Sequence, residues 1–257
     1  MTKFGNTPLI SLFLCSCIIN LFFIVPAHTQ DDGTDSARSL YLVTEEYPPL
    51  NTVNSEGTIT GLATELIRLA ADENNIKLKI EMLPWKRAYH IAENRPSVCI
   101  YSTWRTAQRE DDFLWIGPLA KDAWSFYAPK DKKIQLTSLE DTYRYRVGGI
   151  DGWAFTQYLQ QKEHPYLDLI PIEDETNARK LQTGRIDLWA TGRISGQQII
   201  KHQDISNLEE VFAVREIGLW LACNPETDPS IIQDIQASLD KFEQDGTAHK
   251  TRTVFQF

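Results

Sequence analysis

Apolar and polar residues alternate along this chain in two rhythms, one typical of strands and one typical of helices. Residues 76–82 (IKLKIEM) carry an apolar side chain at every second position, which predicts a strand with one solvated face. Residues 60–75 carry leucines at helical spacing and begin with Thr60, which predicts a helix capped by that threonine. Because strands alternate with helices, the pattern predicts an α/β protein with a largely parallel sheet.

The same two rhythms continue to the end of the chain. Further strands are predicted at residues 39–45, 98–102, 124–128, 147–150, 166–172, 185–191 and 218–224. Further helices are predicted at residues 85–94, 153–159, 176–184 and 228–246. The elements form two βαβ sets joined by extended segments, which favours two lobes. A cleft between lobes, at the carboxyl ends of the strands, is the expected position of a ligand pocket.

The N-terminus follows neither rhythm. Lys3 is the only charged side chain before Asp31, and a long apolar run lies between them. A basic start, an apolar run and small residues near Ala27 are typical of a secretory signal peptide over residues 1–27. An uncleaved membrane anchor and a lipid attached at Cys17 are the alternatives. We therefore expect a periplasmic protein.

Charge and cysteine content exclude some classes of function. The formal net charge of −9 argues against nucleic acid as a partner, because binding to phosphates requires a basic surface. After cleavage near Ala27, only Cys99 and Cys223 remain. In an exported protein these two cysteines either form a disulfide or stay as buried thiols, and the sequence leaves both alternatives open.

Common catalytic and cofactor motifs are absent from the sequence. The five histidines are scattered without an HExxH pair, and two cysteines are too few for a structural zinc site. Neither GxSxG nor GxxxxGK[ST] occurs, which argues against a serine hydrolase and against P-loop phosphate chemistry. We therefore expect no metal, no cofactor and no catalytic residue.

The segment STWRTAQRED (102–111) follows an apolar strand and contains the first candidate for ligand binding. If Thr106 caps a helix here, Arg109 lies in the first turn, where the helix dipole disfavours a cation. The acidic residues 110–112 could neutralise Arg109. Alternatively, its guanidinium could hold an external carboxylate through two parallel hydrogen bonds. The segment GGIDGW (148–153) likewise predicts either a tight turn or an anion site at a helix N-terminus.

Several aromatic residues fall at the same level of the predicted topology, next to strand ends or helix starts. Each alone is typical of core packing, but together they are consistent with a flat apolar pocket. They are Tyr47, Trp85, Trp104, Trp153 and Trp189. By contrast, Asp187 stands at the start of a buried strand and is expected to be structural.

Five segments resemble, in the same order, the family 3 extracellular solute-binding proteins, which are periplasmic receptors for polar amino acids. They are residues 45–70, 100–119, 146–159, 181–192 and 238–247. The resemblance implies a type II periplasmic binding protein. Its two lobes each contain a mainly parallel sheet flanked by helices, and two crossing hinge strands join them. Lobe 1 would comprise residues 38–123 with 224–257, and lobe 2 residues 124–223.

The family's ligand-binding positions fall on this chain unevenly. Its pattern of a threonine three residues before a carboxylate-binding arginine falls on Thr106 and Arg109, which favours the ligand clamp. Its first-strand aromatic falls on Tyr47, and its strand-end hydroxyl on Ser102. Trp85 and Trp104 are expected to cover the apolar part of the ligand.

The second lobe departs from the family pattern. After Gly152, where the family usually has hydroxyl residues, this chain has Trp153 and an alanine. The acidic residue that usually holds the α-ammonium aligns with Gly192, which is followed by Arg193. A glycine cannot neutralise a buried ammonium. Either a glutamate of the 45–46 pair supplies the charge, or the ligand is an anion held by Arg109 and Arg193.

The resemblance implies a non-enzymatic, monomeric protein that captures a small carboxylate-bearing solute, with amino acids as the leading class. Its partner would be an ABC permease in the inner membrane. One alternative is an enzyme on the same scaffold, similar to cyclohexadienyl dehydratase, with a cleft carboxylate from Glu45, Glu46 or Glu173 as general acid. Another is a ligand sensor for a membrane partner.

Overall fold

A computed structural model describes residues 38–171 and 173–255, so the predicted signal peptide and the lipid-attachment alternative lie outside the described residues. The strands are β1 (Ser39–Thr44), β2 (Thr52–Val53), β3 (Ile59–Thr60), β4 (Lys77–Met82), β5 (Val98–Trp104), β6 (Leu114–Pro129), β7 (Val147–Ile150), β8 (Leu167–Ile170), β9 (Leu188–Gly192) and β10 (Leu208–Cys223). The α-helices are α1 (Leu62–Glu73), α2 (Trp85–Asn94), α3 (Ala154–Gln161), α4 (Glu175–Gln182), α5 (Arg193–His202), α6 (Pro229–Asp245) and α7 (Thr247–Val254).

Eight strands form one sheet in the order β4-β1-β5-β10-β6-β9-β7-β8. On one side β1 pairs in parallel with β4 and β5, and on the other β7 pairs in parallel with β8 and β9. Helices connect the parallel strands, as right-handed βαβ geometry requires. The predicted α/β class with a mainly parallel sheet is therefore confirmed.

Two long antiparallel strands, β6 and β10, occupy the middle of the sheet and pair along their whole lengths. The predicted strands at 124–128 and 218–224 are only the ends of these two elements. Register shifts in β10 between Glu210 and Phe212, and again between Ala213 and Arg215, break the regular alternation. A pattern search based on strict alternation therefore misses the first half of β10.

Helix boundaries follow the predicted caps in one case and not in another. The Asp228 side chain accepts a hydrogen bond from the Ser230 amide at 2.8 Å and caps α6, with proline in the first turn. The cap of α1 is Gly61 rather than Thr60, whose hydroxyl bonds Glu65 instead. Gly61 has a φ of 124°, and a Cβ there would lie 2.3 Å from the Leu50 carbonyl oxygen. Only glycine fits this turn.

Cys99 and Cys223 form a disulfide between the paired strands β5 and β10. Of the two alternatives left by the sequence, the structure has the bonded form. A disulfide typically stabilises a fold by about 2–4 kcal/mol. Among the described residues, no helix combines the length and apolar character that crossing a membrane requires.

Candidate functional site

Aromatic side chains converge with one arginine where β1, β5 and the start of α3 meet. We call this group the Arg109 cluster. It is made of Glu45, Tyr47, Trp85, Ser102, Trp104, Arg109, Trp153 and Ala154. The cavity that these residues enclose is about 10 Å³, which is roughly the room one water molecule needs. The structure therefore brings together six residues that the sequence predicted as ligand-binding.

The Arg109 guanidinium is buried among aromatic rings and is only 4% exposed. Its carbon lies 5.2 Å from the ring centre of Trp85 and 5.0 Å from that of Tyr89. It donates two long hydrogen bonds to neutral acceptors, the Trp104 carbonyl at 3.4 Å and the Gln157 side chain at 3.3 Å. It forms no salt bridge with any described residue. Burial accordingly lowers the pKa of Arg109.

The backbone around Arg109 differs from the predicted helix. Residues 106–109 form a turn, and only a short 3₁₀ helix follows at Glu110–Asp112. Thr106 is buried but caps no helix; its carbonyl accepts the Arg109 amide at 3.0 Å. Glu110 pairs with Arg105 and forms no salt bridge with Arg109. Of residues 110–112, Asp112 acts on Arg109 through its charge but forms no salt bridge with it. The dipole argument does not apply, because residues 106–109 form a turn and not a helix.

Trp153 faces the Arg109 cluster from the start of α3. Its ring centre lies 6.0 Å from that of Tyr47 and 5.9 Å from that of Trp104. Its indole N–H donates to the Glu45 carboxylate at 3.3 Å. Gly152 precedes it with a φ of 87°, and the Gly152 carbonyl accepts the indole N–H of Trp85 at 3.1 Å. Side chains from both sides of β6 and β10 thus meet here.

A second and larger cavity of about 490 Å³ adjoins the cluster and shares Glu45, Trp85 and Trp153 with it. Carboxylates dominate its polar lining, and none of its described lining residues is a lysine or arginine. These carboxylates belong to Glu45, Glu46, Glu173, Asp174 and Glu175. We call this space the acidic cavity. Its volume falls within the range of small-molecule pockets.

Two carboxyl groups of the acidic cavity have raised pKa values. Burial raises the pKa of Glu45 to about 8, helped by the charge of Asp174 and opposed by the Trp153 hydrogen bond and by Arg109. Burial raises the pKa of Asp174 to about 6, although three donors oppose this. One of these donors is the Trp189 indole at 2.8 Å. Trp189 belongs to a hydrophobic cluster separate from the one that contains Tyr47 and Trp104, so it does not join the predicted aromatic pocket.

The position aligned with the family's acidic residue has no room for a side chain. A Cβ on Gly192 would lie 2.1 Å from the Tyr47 hydroxyl oxygen and 2.6 Å from Oδ2 of Asp122. Tyr47 donates to that Oδ2 at 2.8 Å, and the amides of Ala123 and Ile194 donate to Oδ1 at 2.8 and 3.1 Å. Gly192 is thus a point of close approach, and the nearby carboxylate comes from β6.

Arg193 does not join the Arg109 cluster, in contrast to the sequence-based expectation. Its guanidinium donates to Glu210 at 3.0 Å and to Glu216 at 2.9 Å, both on β10. These two carboxylates raise the pKa of Arg193. Because its charge is already neutralised by two partners of its own chain, Arg193 is not available as a second anion clamp.

The sequence reasoning missed Asp122, Asp174 and Gln157. Asp122 is a single acid between two apolar runs, WIGPLA and AWSFYA, which was the only signal available. Asp174 lies within an acidic trio before α4, and Gln157 lies one turn into α3. Within the part of the chain that the structure describes, no three His, Cys, Asp or Glu side chains are placed to hold a metal ion.

Comparison with known proteins places this geometry in context. Residues 41–255 match the model of the bacterial extracellular solute-binding proteins, family 3. A search of curated proteins finds no match.

Solved structures with the same fold include receptors and a sensor. A histidine kinase sensor domain with similarity to periplasmic binding proteins is 18% identical, with a TM-score of 0.76, over 86% of this chain and 97% of that one. A mutant of ArgBP from T. maritima is 15% identical, with a TM-score of 0.75, over 86% and 96%. A substrate-binding protein of an ABC uptake transporter from Streptococcus pneumoniae, with bound histidine, is 12% identical, with a TM-score of 0.75, over 86% and 93%.

Proposed function

The chain belongs to the bacterial extracellular solute-binding proteins, family 3, and we propose that it captures a small carboxylate-bearing solute, an amino acid or a related compound. The observation that carries this proposal is Arg109. A buried guanidinium with only two long bonds to neutral acceptors is costly, and an incoming carboxylate would offset that cost. The clamp assignment predicted from the sequence gains support from this environment.

The rest of the solute would lie in the acidic cavity, which shares three residues with the Arg109 cluster. The cluster cavity of about 10 Å³ is far too small for an amino acid. Binding therefore requires Trp153 to separate from Tyr47 and Trp104. We propose that lobe 1 (38–123 and 224–257) and lobe 2 (124–223) part and close again through bending of β6 and β10, which run between them.

We propose that the protein works in the periplasm after removal of residues 1–27, as a monomer, and that an ABC permease takes the solute from it. The family description as extracellular supports the location. The Streptococcus pneumoniae neighbour supports the type of partner. Uptake of the identified solute by cells with and without the gene tests the partner: loss of uptake without the gene supports transport, and unchanged uptake rejects it.

A thermal-shift panel tests the binding function. It includes amino acids, aromatic acids, di- and tricarboxylates and polyamines, the last as cations without a carboxylate. A solute present at 100 times its dissociation constant adds about 2.7 kcal/mol to the free energy of unfolding. We expect at least one monocarboxylate to do so. The proposal is rejected if no carboxylate shifts the transition, or if polyamines alone do.

One observation favours a second candidate, an enzyme on the same scaffold. With a pKa of about 8, the Glu45 carboxyl keeps its proton at neutral pH, and it lies beside Arg109. Such a group could act as a general acid on a bound hydroxy acid, as in a cyclohexadienyl dehydratase. Turnover of prephenate that is lost in Glu45→Gln would support this candidate, and absence of turnover would exclude that reaction.

A further inference from the structure

Arg109 is one of two buried charges beside the small cavity that have no ion-pair partner among the described residues. The other is Asp122, which is 2% exposed. Its carboxylate accepts hydrogen bonds from two backbone amides and one hydroxyl, none of which carries a positive charge. Burial raises its pKa, as expected for a carboxylate that lacks a cation. The site thus holds a positive and a negative group, neither of which forms an ion pair with a described residue.

The two charges reach the cavity differently. Arg109 lines it directly, whereas Asp122 lies behind Tyr47, whose ring lines the cavity. The Tyr47 hydroxyl uses its hydrogen to bond Asp122 at 2.8 Å. A hydroxyl that donates in this way keeps its oxygen lone pairs free to accept another hydrogen bond. The Tyr47 oxygen can therefore accept a hydrogen bond from a positively charged donor.

We infer that the Tyr47–Asp122 pair receives the α-ammonium of the solute, with Asp122 acting through Tyr47 as the counter-charge that position 192 lacks. This inference rests on the proposed function and names its substrate class: zwitterionic α-amino acids, rather than simple carboxylates. Tyr47 is then the contacting residue and Asp122 the positioning residue.

The geometry at Gly192 supports this assignment. A Cβ there would lie 2.6 Å from Oδ2 of Asp122, so the carboxylate of β6 occupies the place toward which a side chain at 192 would point. A Gly192→Asp change would therefore not restore an ammonium site; it would collide with Tyr47, 2.1 Å from the Cβ position.

Asp122 also has a structural contact, because its Oδ1 accepts the amide of Ile194 in the first turn of α5. The test must therefore separate recognition of an ammonium from support of the fold. Matched ligand pairs do this, since each pair differs only in the α-ammonium. The probes are L-histidine with imidazolepropionate, L-phenylalanine with phenylpropionate, and L-arginine with guanidinovalerate, measured by isothermal titration at neutral pH.

In the wild-type protein we expect the amino acid of at least one pair to bind about 10- to 100-fold more tightly than its partner acid. In Asp122→Asn this ratio falls below about threefold, while the affinity for the acid alone stays within about threefold. The amide of Asn would donate to Tyr47, whose hydrogen then points into the cavity and opposes an ammonium. Asp187→Asn, a carboxylate paired with Arg146 away from the cavities of the site, keeps the wild-type ratio.

The inference is overturned if the wild-type protein binds both members of every pair equally, or if Asp122→Asn weakens both members alike. In the first case the carboxylate function of the site still stands. If no member of any pair binds but the thermal-shift panel identifies another amino acid, that amino acid and the matching acid without the α-ammonium replace the pairs. If the panel identifies no amino acid, the proposed function for amino acids and the inference are both rejected. Should Asp122→Asn fail to fold, as judged by its thermal transition, Tyr47→Phe replaces it and must reduce the same ratio.

Discussion

Arg109 follows strand β5 and Arg193 follows strand β9. Both arginines were expected to bind the ligand, and the structure gives them opposite surroundings. Arg193 is about one-third exposed and bonds two glutamates of β10. Arg109 is buried between aromatic rings, and its hydrogen-bond acceptors among residues 38–171 and 173–255 are a carbonyl and a side-chain amide. A cation with carboxylates of its own chain is structural, whereas a buried cation without one is suited to an external anion. In the proposed function, the missing partner, rather than the arginine itself, marks the binding site.

Removing each guanidinium in turn tests whether Arg109, and not Arg193, holds the solute. We expect Arg109→Gln to weaken binding of the best amino acid by about 100-fold or more, because a desolvated ion pair is lost. Its unfolding free energy without ligand should stay within about 1 kcal/mol of the wild type, because the substitution removes no ion pair of the folded protein.

Arg193→Gln is the matched control for that experiment. It loses two surface ion pairs, so its unfolding free energy should fall by about 1 kcal/mol or less, with affinity within about threefold. Calorimetric titration and chemical denaturation of both variants measure the two effects. Equal losses of affinity in the two variants would remove the distinction between the arginines.

A second substitution, Gln157→Glu, gives Arg109 a carboxylate partner of the kind that Arg193 has. The Gln157 side-chain oxygen lies 3.3 Å from the guanidinium, so Gln157→Glu places a carboxylate there with little change of shape. We expect affinity for the amino acid to fall about tenfold, because the internal carboxylate competes with the solute. The melting temperature without ligand should rise by roughly 2–4 °C, which corresponds to about 1 kcal/mol.

Gln161→Glu, one turn further along α3, is the control for Gln157→Glu. Its side chain bonds Gln108 at the surface and should leave the affinity unchanged. If Gln157→Glu binds the solute as tightly as the wild type, the lack of an ion-pair partner at Arg109 has no role in recognition.

The pH dependence of stability depends on Glu45, which lies beside Arg109 in the Arg109 cluster without a salt bridge to it. Its pKa is raised from 4.5 to about 8 in the folded protein, so the folded state holds the proton more firmly than the unfolded chain. Stability should therefore fall as pH rises from about 4.5 to 8, by roughly 1–2 kcal/mol for this half-buried group. Glu45→Gln should lack that decline and exceed the wild type in stability at pH 9.

Denaturation of the wild type and of Glu45→Gln at pH 5 and pH 9 measures this effect. Glu46→Gln, an exposed neighbour of the same chemistry, is the control. Parallel pH profiles for Glu45→Gln and the wild type would contradict the raised pKa.

Much of the fold could be predicted from periodicity. Strands β1, β4 and β5 and helices α1, α2 and α6 match their predicted segments to within a few residues, because each buries one regular face. The long strands β6 and β10 were found only at their ends. Their bulges shift the alternation, and β10 has charged residues such as Glu209 and Arg215 within it.

The site was only partly predictable, for a different reason. The aromatic residues and Arg109 lie at strand ends and turns, and topology alone brings those positions together. Asp122 and Gln157 lie inside elements, and only the packing of β6 against β9 and of α3 against the Arg109 turn reveals what they contact. The ion pairs of Arg193 could not be predicted for the same reason, since its partners Glu210 and Glu216 lie on a strand whose register the sequence did not specify.

A crystal structure of the protein with its best amino acid would show whether Arg109 holds the solute. Both terminal nitrogens of Arg109 should bond the solute carboxylate at about 2.7–2.9 Å, with Gln157 released from the guanidinium. Arg109 would not be the carboxylate clamp if its guanidinium kept its bonds to Gln157 and the Trp104 carbonyl while the solute lay elsewhere.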